Sequence, residues 1–331
     1  RHLAARNSVT VAAPLRVGDD DHCDSRDLPA EWSQIQTAWI SRTGALVRMV
    51  AAAGSRRSAS EAFFRAPDLA RSLKRDLAAE AYDLVVVHCS AMAPYVLDSP
   101  VAKVMDFVDM DSQKWLEFAR AKRWPVSLGY RFEGLKLRQL EARCARAFDA
   151  CTTATPAELE ILDGLKPSAV TGFFPNGVDL EHFAPDPEPS YDPGLIGFLG
   201  RMDYFPNEEA VIWFANQVLP RVRLRAPNAR FQIIGAAPSA RVRTLEQLDG
   251  VEVTGRVDDV RAWVRHAALT VAPLGIARGT QNKILESMAM GVPVVTNGRT
   301  LKGVDARAGQ DLVVAEDADE TAEAVCDLLQ D

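Results

Sequence analysis

The chain has 331 residues, 47% of them hydrophobic, and a formal net charge of −7, enough length for two cores of ordinary size. No run of 18 apolar residues occurs, since even Asp83 to Leu97 is interrupted by His88, Ser90 and Pro94, so no segment reads as a membrane span. The acidic balance argues against nucleic acid as the main partner, and five scattered cysteines (Cys23, Cys89, Cys144, Cys151, Cys326) fit reduced thiols in a cytoplasmic protein and offer no zinc spacing.

Arg1 to Arg6 reads as the end of a helix and Ser8 to Pro14 as the strand that follows. A doubly wound domain opens with a strand and a glycine-bearing turn, so one βα unit is expected upstream of Arg1, which is not an initiator Met. No signal peptide is read. Asp19 to Asp27 is an acidic loop, Trp32 to Ile40 a short helix and Leu46 to Ala52 a strand. Glu61 to Glu80 reads as one helix, with Phe64, Leu69, Leu73 and Leu77 at helical spacing. Asp83 to Cys89 is a β-branched run suited to a parallel strand buried on both faces. His88 then falls at the C-terminal end of that strand, where open α/β sheets place their ligands; a histidine satisfied by a neighbouring carbonyl fits equally.

Val101 to Val108 is the next strand, running into Asp109-Met110-Asp111-Ser112. Asp111 or Ser112 reads as the cap of a helix rather than as part of a metal-bound nucleotide site, and no metal site is expected. From Lys114 to Arg146 nine basic residues face three acidic ones and are interleaved with Trp115, Phe118, Trp124, Tyr130 and Phe132. That mixture suits a peripheral anionic membrane surface, or two solvated helices whose aromatics pack inward. Tyr130 to Phe148 reads as a helix, Ala150 to Thr153 as a strand, and Thr155-Pro156-Ala157-Glu158 as a capped helix start.

Phe173 to Asp179 is a strand ending in an Asn-Gly turn. Residues 185–193, with Pro185, Pro187, Pro189 and Pro193, read as a linker between a first domain over 1–184 and a second over 194–331. Leu195 to Arg201 opens the second domain as a strand with a glycine turn; the third glycine of a dinucleotide fingerprint is absent. Strands at Phe231 to Gly235, Val251 to Gly255, Ala268 to Leu274, Val292 to Thr296 and Leu312 to Ala315, with helices near Ala210, Val242, Val260, Gln281 and Thr321, make an alternating βα series and hence a doubly wound parallel sheet.

The most informative stretch is Gly275 to Thr296. A helix crosses between two buried strands, with Thr280 as its expected cap, Gly291 in the left-handed position after its last turn and Pro293 forbidding continuation. Lys283 and Glu286 sit one turn apart. The N–H groups of Gly279, Thr280, Gln281 and Asn282, the positive helix end and Lys283 suit an anionic diphosphate. Glu286 is placed to accept the hydroxyls of a ribose diol. An ordinary amphipathic helix with a solvated Lys283–Glu286 pair fits the same pattern.

Leu285-Glu286-Ser287-Met288-Ala289 followed by Gly291-Val292-Pro293-Val294-Val295 resembles the donor-binding helix of family 4 glycosyltransferases. These are retaining, metal-independent enzymes with the GT-B architecture, two Rossmann-like doubly wound domains facing across a cleft. Pro175-Asn176-Gly177-Val178-Asp179 and Gly200-Arg201 resemble further motifs of that family, and Asp106 to Trp115 and Ala91 to Val96 resemble a narrower group of exopolysaccharide-associated sugar transferases. The resemblance implies that Gly200 and Arg201 hold the donor diphosphate and that His88 lies beside the donor sugar, with Asp109 facing the cleft. Arg278, Gly279, Thr280, Gln281, Lys283 and Glu286 complete the implied donor site. Two departures stand out. Arg278 occupies the place of the first Glu of the family's Glu-x7-Glu motif, and Pro206 that of a lysine, leaving Lys283 to supply the charge. The crossing helix with which GT-B chains end is also expected beyond Asp331.

The resemblance implies sugar transfer from a UDP- or GDP-linked donor to a saccharide or lipid-linked saccharide, with no cofactor, in the cytoplasm or at the inner face of the membrane. A non-catalytic nucleotide or polysaccharide-binding protein, a nucleotide-sugar epimerase and an NAD-dependent dehydrogenase are the alternatives. The last is disfavoured by the broken glycine fingerprint.

Overall fold

The computed structural model describes residues 3–16, 32–79, 81–186 and 190–330, and the chain divides into two compact units, Arg1–Phe174 and Pro175–Asp331. Arg1, the expected acidic loop over Asp19 to Asp27, and Pro187 and Pro189 of the expected linker lie outside the described residues.

In the first unit, β1 (Thr10–Arg16) pairs in parallel with β2 (Gln34–Ile40). The segment expected as a helix over Trp32 to Ile40 is therefore a strand. Its polar and apolar residues obscure a period of two, in which Gln36, Ala38 and Ile40 turn inward while Thr37 and Trp39 face out. The expected strand over Leu46 to Ala52 is instead part of α1 (Arg42–Ala53), whose N-terminus is capped by Ser41 Oγ accepting from the Gly44 N–H at 3.1 Å. Its alanine-rich C-terminal half favours the helix. Pro67 splits the expected single helix into α2 (Ala59–Phe63) and α3 (Pro67–Ala78).

A second sheet of this unit runs in chain order through β3 (Leu84–His88), β4 (Ala102–Val108), β5 (Ala150–Thr153) and β6 (Val170–Phe173), all parallel. β3 is an edge strand in which Val87 is buried while Leu84 and Val86 are exposed, so it is covered on one face and not on both as expected. Valine on both faces of the pleat looks the same in sequence whichever face is covered. α4 (Asp111–Ala121) and α5 (Val126–Ala147) join β4 to β5, and α6 (Pro156–Asp163) joins β5 to β6. Met105, Phe107, Leu137, Cys144, Cys151 and Leu162 form the centre of the core beneath them.

The second unit holds one six-stranded parallel sheet. Its strands are β7 (Asp192–Leu199), β8 (Arg230–Ile234), β9 (Val251–Gly255), β10 (Ala267–Ala272), β11 (Val294–Thr296) and β12 (Val313–Val314), in the spatial order β12-β11-β10-β7-β8-β9. The connecting helices are α7 (Phe205–Trp213), α8 (Leu219–Arg225), α9 (Ala240–Arg243), α10 (Val260–His266), α11 (Asn282–Ala289), α12 (Gly298–Leu301) and α13 (Ala318–Gln330). Between α7 and α8, Phe214–Val218 forms a π turn that places Phe214 against Phe231, ring centroids 4.5 Å apart, in a core of Ile196, Phe198 and Ile233. The chain winds outward from β7 through β8 to β9, then returns to β10 on the other side. The sheet's switch point therefore lies between the C-terminal ends of β7 and β10, the place where such sheets bind ligands.

Candidate active site

Gly200 follows β7 directly, with φ of +154°, and its N–H donates to the Ile234 carbonyl at 3.0 Å. Gly235, after β8, has φ of +150°, and a Cβ there would lie 1.8 Å from the Gly200 carbonyl oxygen. Two glycines are needed where the turns meet. Arg201 is exposed and forms a bidentate pair with Asp203, Nε to Oδ1 at 3.1 Å and Nη2 to Oδ2 at 2.8 Å, which holds the Asp203 carboxyl below its usual range. An exposed pair of this kind contributes at most about 1 kcal/mol, so an anion can compete for the guanidinium.

Lys283, in the first turn of α11, reaches back to this turn. Its Nζ donates to Asn207 Oδ1 at 2.6 Å and sits 4.3 Å from the centroid of the Phe198 ring, while Asn207 Nδ2 donates to the Arg201 carbonyl at 2.8 Å. Burial lowers the Lys283 pKa to about 7, against the pull of Glu286. Glu286, one turn on and half-buried, is shifted the other way, its carboxyl raised by burial. The two are not a solvated surface pair.

The loop before α11 is held from several sides. Gln281 Nε2 donates to the Arg278 carbonyl at 2.9 Å, Arg299 Nη1 donates to the Gly275 carbonyl at 2.6 Å, and a Cβ on Gly303 would meet the Gly279 carbonyl oxygen at 2.1 Å. Gly279 has φ of +61° and is buried. Thr280 does not cap the helix. Gln281 occupies the cap position without capping the helix through its side chain, because the turn at Gly279 delays the first helical residue to Asn282, and Thr280 Oγ1 is left buried with no hydrogen-bond partner. Asn176, from the Asn-Gly turn, donates from Nδ2 to Asn282 Oδ1 at 3.1 Å, a tie to the helix N-terminus that the sequence reading missed. Asn207 and Asp203 were missed too; their signal was a buried-helix asparagine and a carboxylate two residues after Arg201.

In the first unit, His88 and Asp109 lie at the C-terminal ends of the neighbouring strands β3 and β4. The immediate partner of His88 is Asp106, register-paired with it, with Nδ1 to Oδ2 at 3.3 Å. The other Asp106 oxygen accepts from Thr152 Oγ1 at 3.2 Å, which fixes the carboxylate. Cys89 and Val108, next to these residues, have φ of +65° and +62°, a strained backbone for residues with a Cβ. Neither Asp111 nor Ser112 caps α4. Buried carboxylates from other helices do so instead, Glu158 accepting from the Met110 N–H and Glu141 from the Ser112 N–H, each at 2.8 Å. Burial pushes the Glu141 carboxyl up to about 7.

Among the described residues no helix is long and apolar enough to cross a membrane, and no group of three or more His, Cys, Asp or Glu is placed to hold a metal ion.

Residues 193–331, within the second unit, match the family model described as glycosyl transferases group 1. The fold of the chain is that of GT-B structures. Anabaena Alr3699/HepE in complex with UDP and glucose superposes with a TM-score of 0.60 at 15% identity, over 90% of this chain and 77% of that one. WaaG, a glycosyltransferase involved in lipopolysaccharide biosynthesis, gives 0.61 at 16% identity, over 92% and 80%. The α,α-trehalose 6-phosphate synthase of Burkholderia multivorans gives 0.61 at 13%, over 96% and 90%. No curated protein matches in sequence. The class of protein these findings define is a glycosyltransferase of GT-B fold, and the second unit is where its glycosyl transferases group 1 domain lies.

Proposed function

We propose that the protein moves a sugar from a nucleoside-diphosphate donor to a saccharide or lipid-linked saccharide, with retention and without a metal ion, in exopolysaccharide or cell-surface glycan synthesis. The observation that carries this reading is the cationic cradle at the switch point of the second sheet, where Gly200, Arg201, Asn207 and Lys283 converge. Arg201, Lys283 and the N-terminus of α11 neutralise the diphosphate as it departs, the role a divalent cation fills in other transferases. Glu286 takes the ribose diol, and the loop of Arg278, Gly279, Thr280 and Gln281 follows the donor. In the first unit, His88, aligned by Asp106, and Asp109 are the residues assigned to the sugar and the acceptor.

UDP-glucose is the donor to test first, because Anabaena Alr3699/HepE was solved with it. The deciding experiment is a thermal-shift and turnover screen against UDP-, GDP- and dTDP-sugars, with the anomeric configuration of any product read by NMR. Stabilisation by one nucleotide series together with a product of retained configuration is the expected result. No stabilisation by any nucleotide sinks the reading.

A second reading, a binding protein that does not turn over, is favoured by one observation. Arg278 stands where a sugar-holding carboxylate would be, and a guanidinium accepts no hydrogen bond from a hydroxyl. Stabilisation without turnover against every acceptor tried would select it. The proposed place of action is the cytoplasm, in contact with the anionic inner face of the membrane.

A further inference from the structure

Membrane contact is part of the proposed function, and the inference here rests on that reading while naming the face that makes the contact. The aromatic residues between Trp115 and Phe132 divide into two sets. Trp115, Phe118 and Tyr130 pack on one another with centroids 5.3 to 6.2 Å apart. Trp124 and Phe132 point outward, 80% and 55% exposed. Phe132 belongs to a stripe with Leu128 (47%) and Leu135 (41%), spaced four and three residues apart on α5 and hence on one helix face. Val126, 55% exposed, begins α5 on a different face, beside Gly129 and Tyr130. On α1, Leu46, Val47 and Val50 are 61% to 69% exposed.

The two helices are stitched together. Lys136 of α5 donates from Nζ to the carbonyls of Ala52 and Ala53 at the end of α1, at 2.8 and 3.1 Å. Glu133 of α5 holds the start of α2 as well, accepting from the N–H groups of Ala59 and Ser60 at 2.7 and 2.8 Å. An apolar groove lined by Met49, Phe63, Val126, Gly129 and Tyr130 lies between them.

Charge identifies the occupant. In a chain of net charge −7, residues 42–57 and 120–138 carry ten Lys and Arg and a single acidic residue, Glu133, whose carboxylate is buried and engaged with backbone. Arg42, Arg56, Arg120, Arg123, Arg131 and Arg138 are exposed around the apolar side chains. A second copy of the same face would meet like charge. A nucleic acid would use the cations and leave the leucines, Val47 and Phe132 in water. A surface with anionic headgroups over hydrocarbon uses both.

We propose that the exposed sides of α1 and α5, with Trp124 at the α4–α5 turn, dock this protein on an anionic lipid bilayer. The ring of Trp124 settles at headgroup level, the Leu128–Phe132–Leu135 stripe enters the acyl boundary, and the arginines pair with headgroup phosphates.

Flotation of the full chain with vesicles tests it. Vesicles of phosphatidylglycerol mixed with phosphatidylcholine should carry the protein upward at low salt, and phosphatidylcholine alone should not. The double variant Arg120→Glu/Arg123→Glu should lower the partition coefficient roughly twentyfold or more, and Trp124→Ser/Phe132→Ser should lower it without changing its salt dependence. Since all four side chains are exposed, circular dichroism melting should be unaltered in both variants. UDP affinity measured on the same samples should not move, which separates this test from the donor-site reading. Absence of flotation with anionic vesicles overturns the proposal. So does equal binding to neutral vesicles, loss of binding in neither variant, or tighter binding to double-stranded DNA than to vesicles.

Discussion

Lys283 Nζ donates to Asn207 Oδ1 at 2.6 Å, which fastens the first turn of α11 to the first turn of α7 across the end of β7. A lysine has three donors and a flexible stem, so without a fixed acceptor its charge would not be aimed. Asn207→Leu keeps the volume and removes the acceptor. Affinity for UDP should fall by about 1.5–3 kcal/mol, the range for a hydrogen bond to a charged group, with affinity for uridine unchanged. Equal losses for both ligands in calorimetry would make Asn207 a mere element of packing.

The pH dependence follows from the same lysine. Folding lowers its pKa from 10.5 to about 7, so between those values the unfolded chain binds more protons and the stability of the second unit rises with pH. Below about pH 7 the cost of burying the ammonium is fully present. A bound diphosphate favours the charged form, so at about pH 8 nucleotide binding should take up a proton, and affinity should decline as pH rises beyond 7. Titration calorimetry in two buffers of different ionisation heat reads the uptake. Lys283→Met should abolish it, and no uptake by the unaltered protein would refute the assignment.

Glu286→Gln should weaken binding of both nucleoside and nucleotide by about 1.5–3 kcal/mol, because a charged acceptor of the ribose diol is lost. Unchanged affinity would place the ribose elsewhere. The contrast with Asn207→Leu, which should spare the nucleoside, separates the two ends of the ligand.

Arg278 is expected to contact an anionic group on donor or acceptor, since a guanidinium binds carboxylate or phosphate bidentately. Arg278→Ala should lower kcat/KM for a uronic-acid or phosphorylated substrate roughly tenfold more than for a neutral one. Higher turnover of neutral donors by Arg278→Glu would show instead that the carboxylate was the better group there.

Gly235→Ala should destabilise the second unit by more than about 3 kcal/mol, since its Cβ would fall 1.8 Å from the Gly200 carbonyl oxygen and neither backbone can yield without breaking the β7–β8 ladder. Denaturant melts monitored in the presence and absence of UDP check it.

Most strands of the second unit are legible because they are short apolar runs that meet a glycine or proline at one end, as at Leu195 to Gly200. Over residues 32–53 the pattern points to helix then strand, and the chain forms strand then helix. Gln34 to Ile40 mixes polar and apolar residues on both faces, and Leu46 to Ala52 is apolar on a helix surface exposed at Leu46, Val47 and Val50, so the pattern that normally reports burial was uninformative. Lys283 could be found from its place in the first turn of one helix, and Arg201 from a Gly-Arg pair at a strand end that resembles a family motif. Asn207, Asp106 and the buried caps Glu141 and Glu158 could not, since each acts on a residue 18 to 76 positions away and only tertiary packing brings them together.

The π turn at Phe214–Val218 is one wide turn between α7 and α8, holding about one residue more than an α turn does. Each residue of an α-helix advances the face by about 100°, so an extra residue carried without such a turn would rotate one end against the other. Both ends are anchored, α7 by Glu208 to Ser239 and Arg241, and α8 by Arg221 to Asp319 and Arg225 to Asp327 of α13. The wide turn thus carries the extra residue while Asn207 stays on the lysine, which makes the local winding of this segment, and not only its side chains, a determinant of the site.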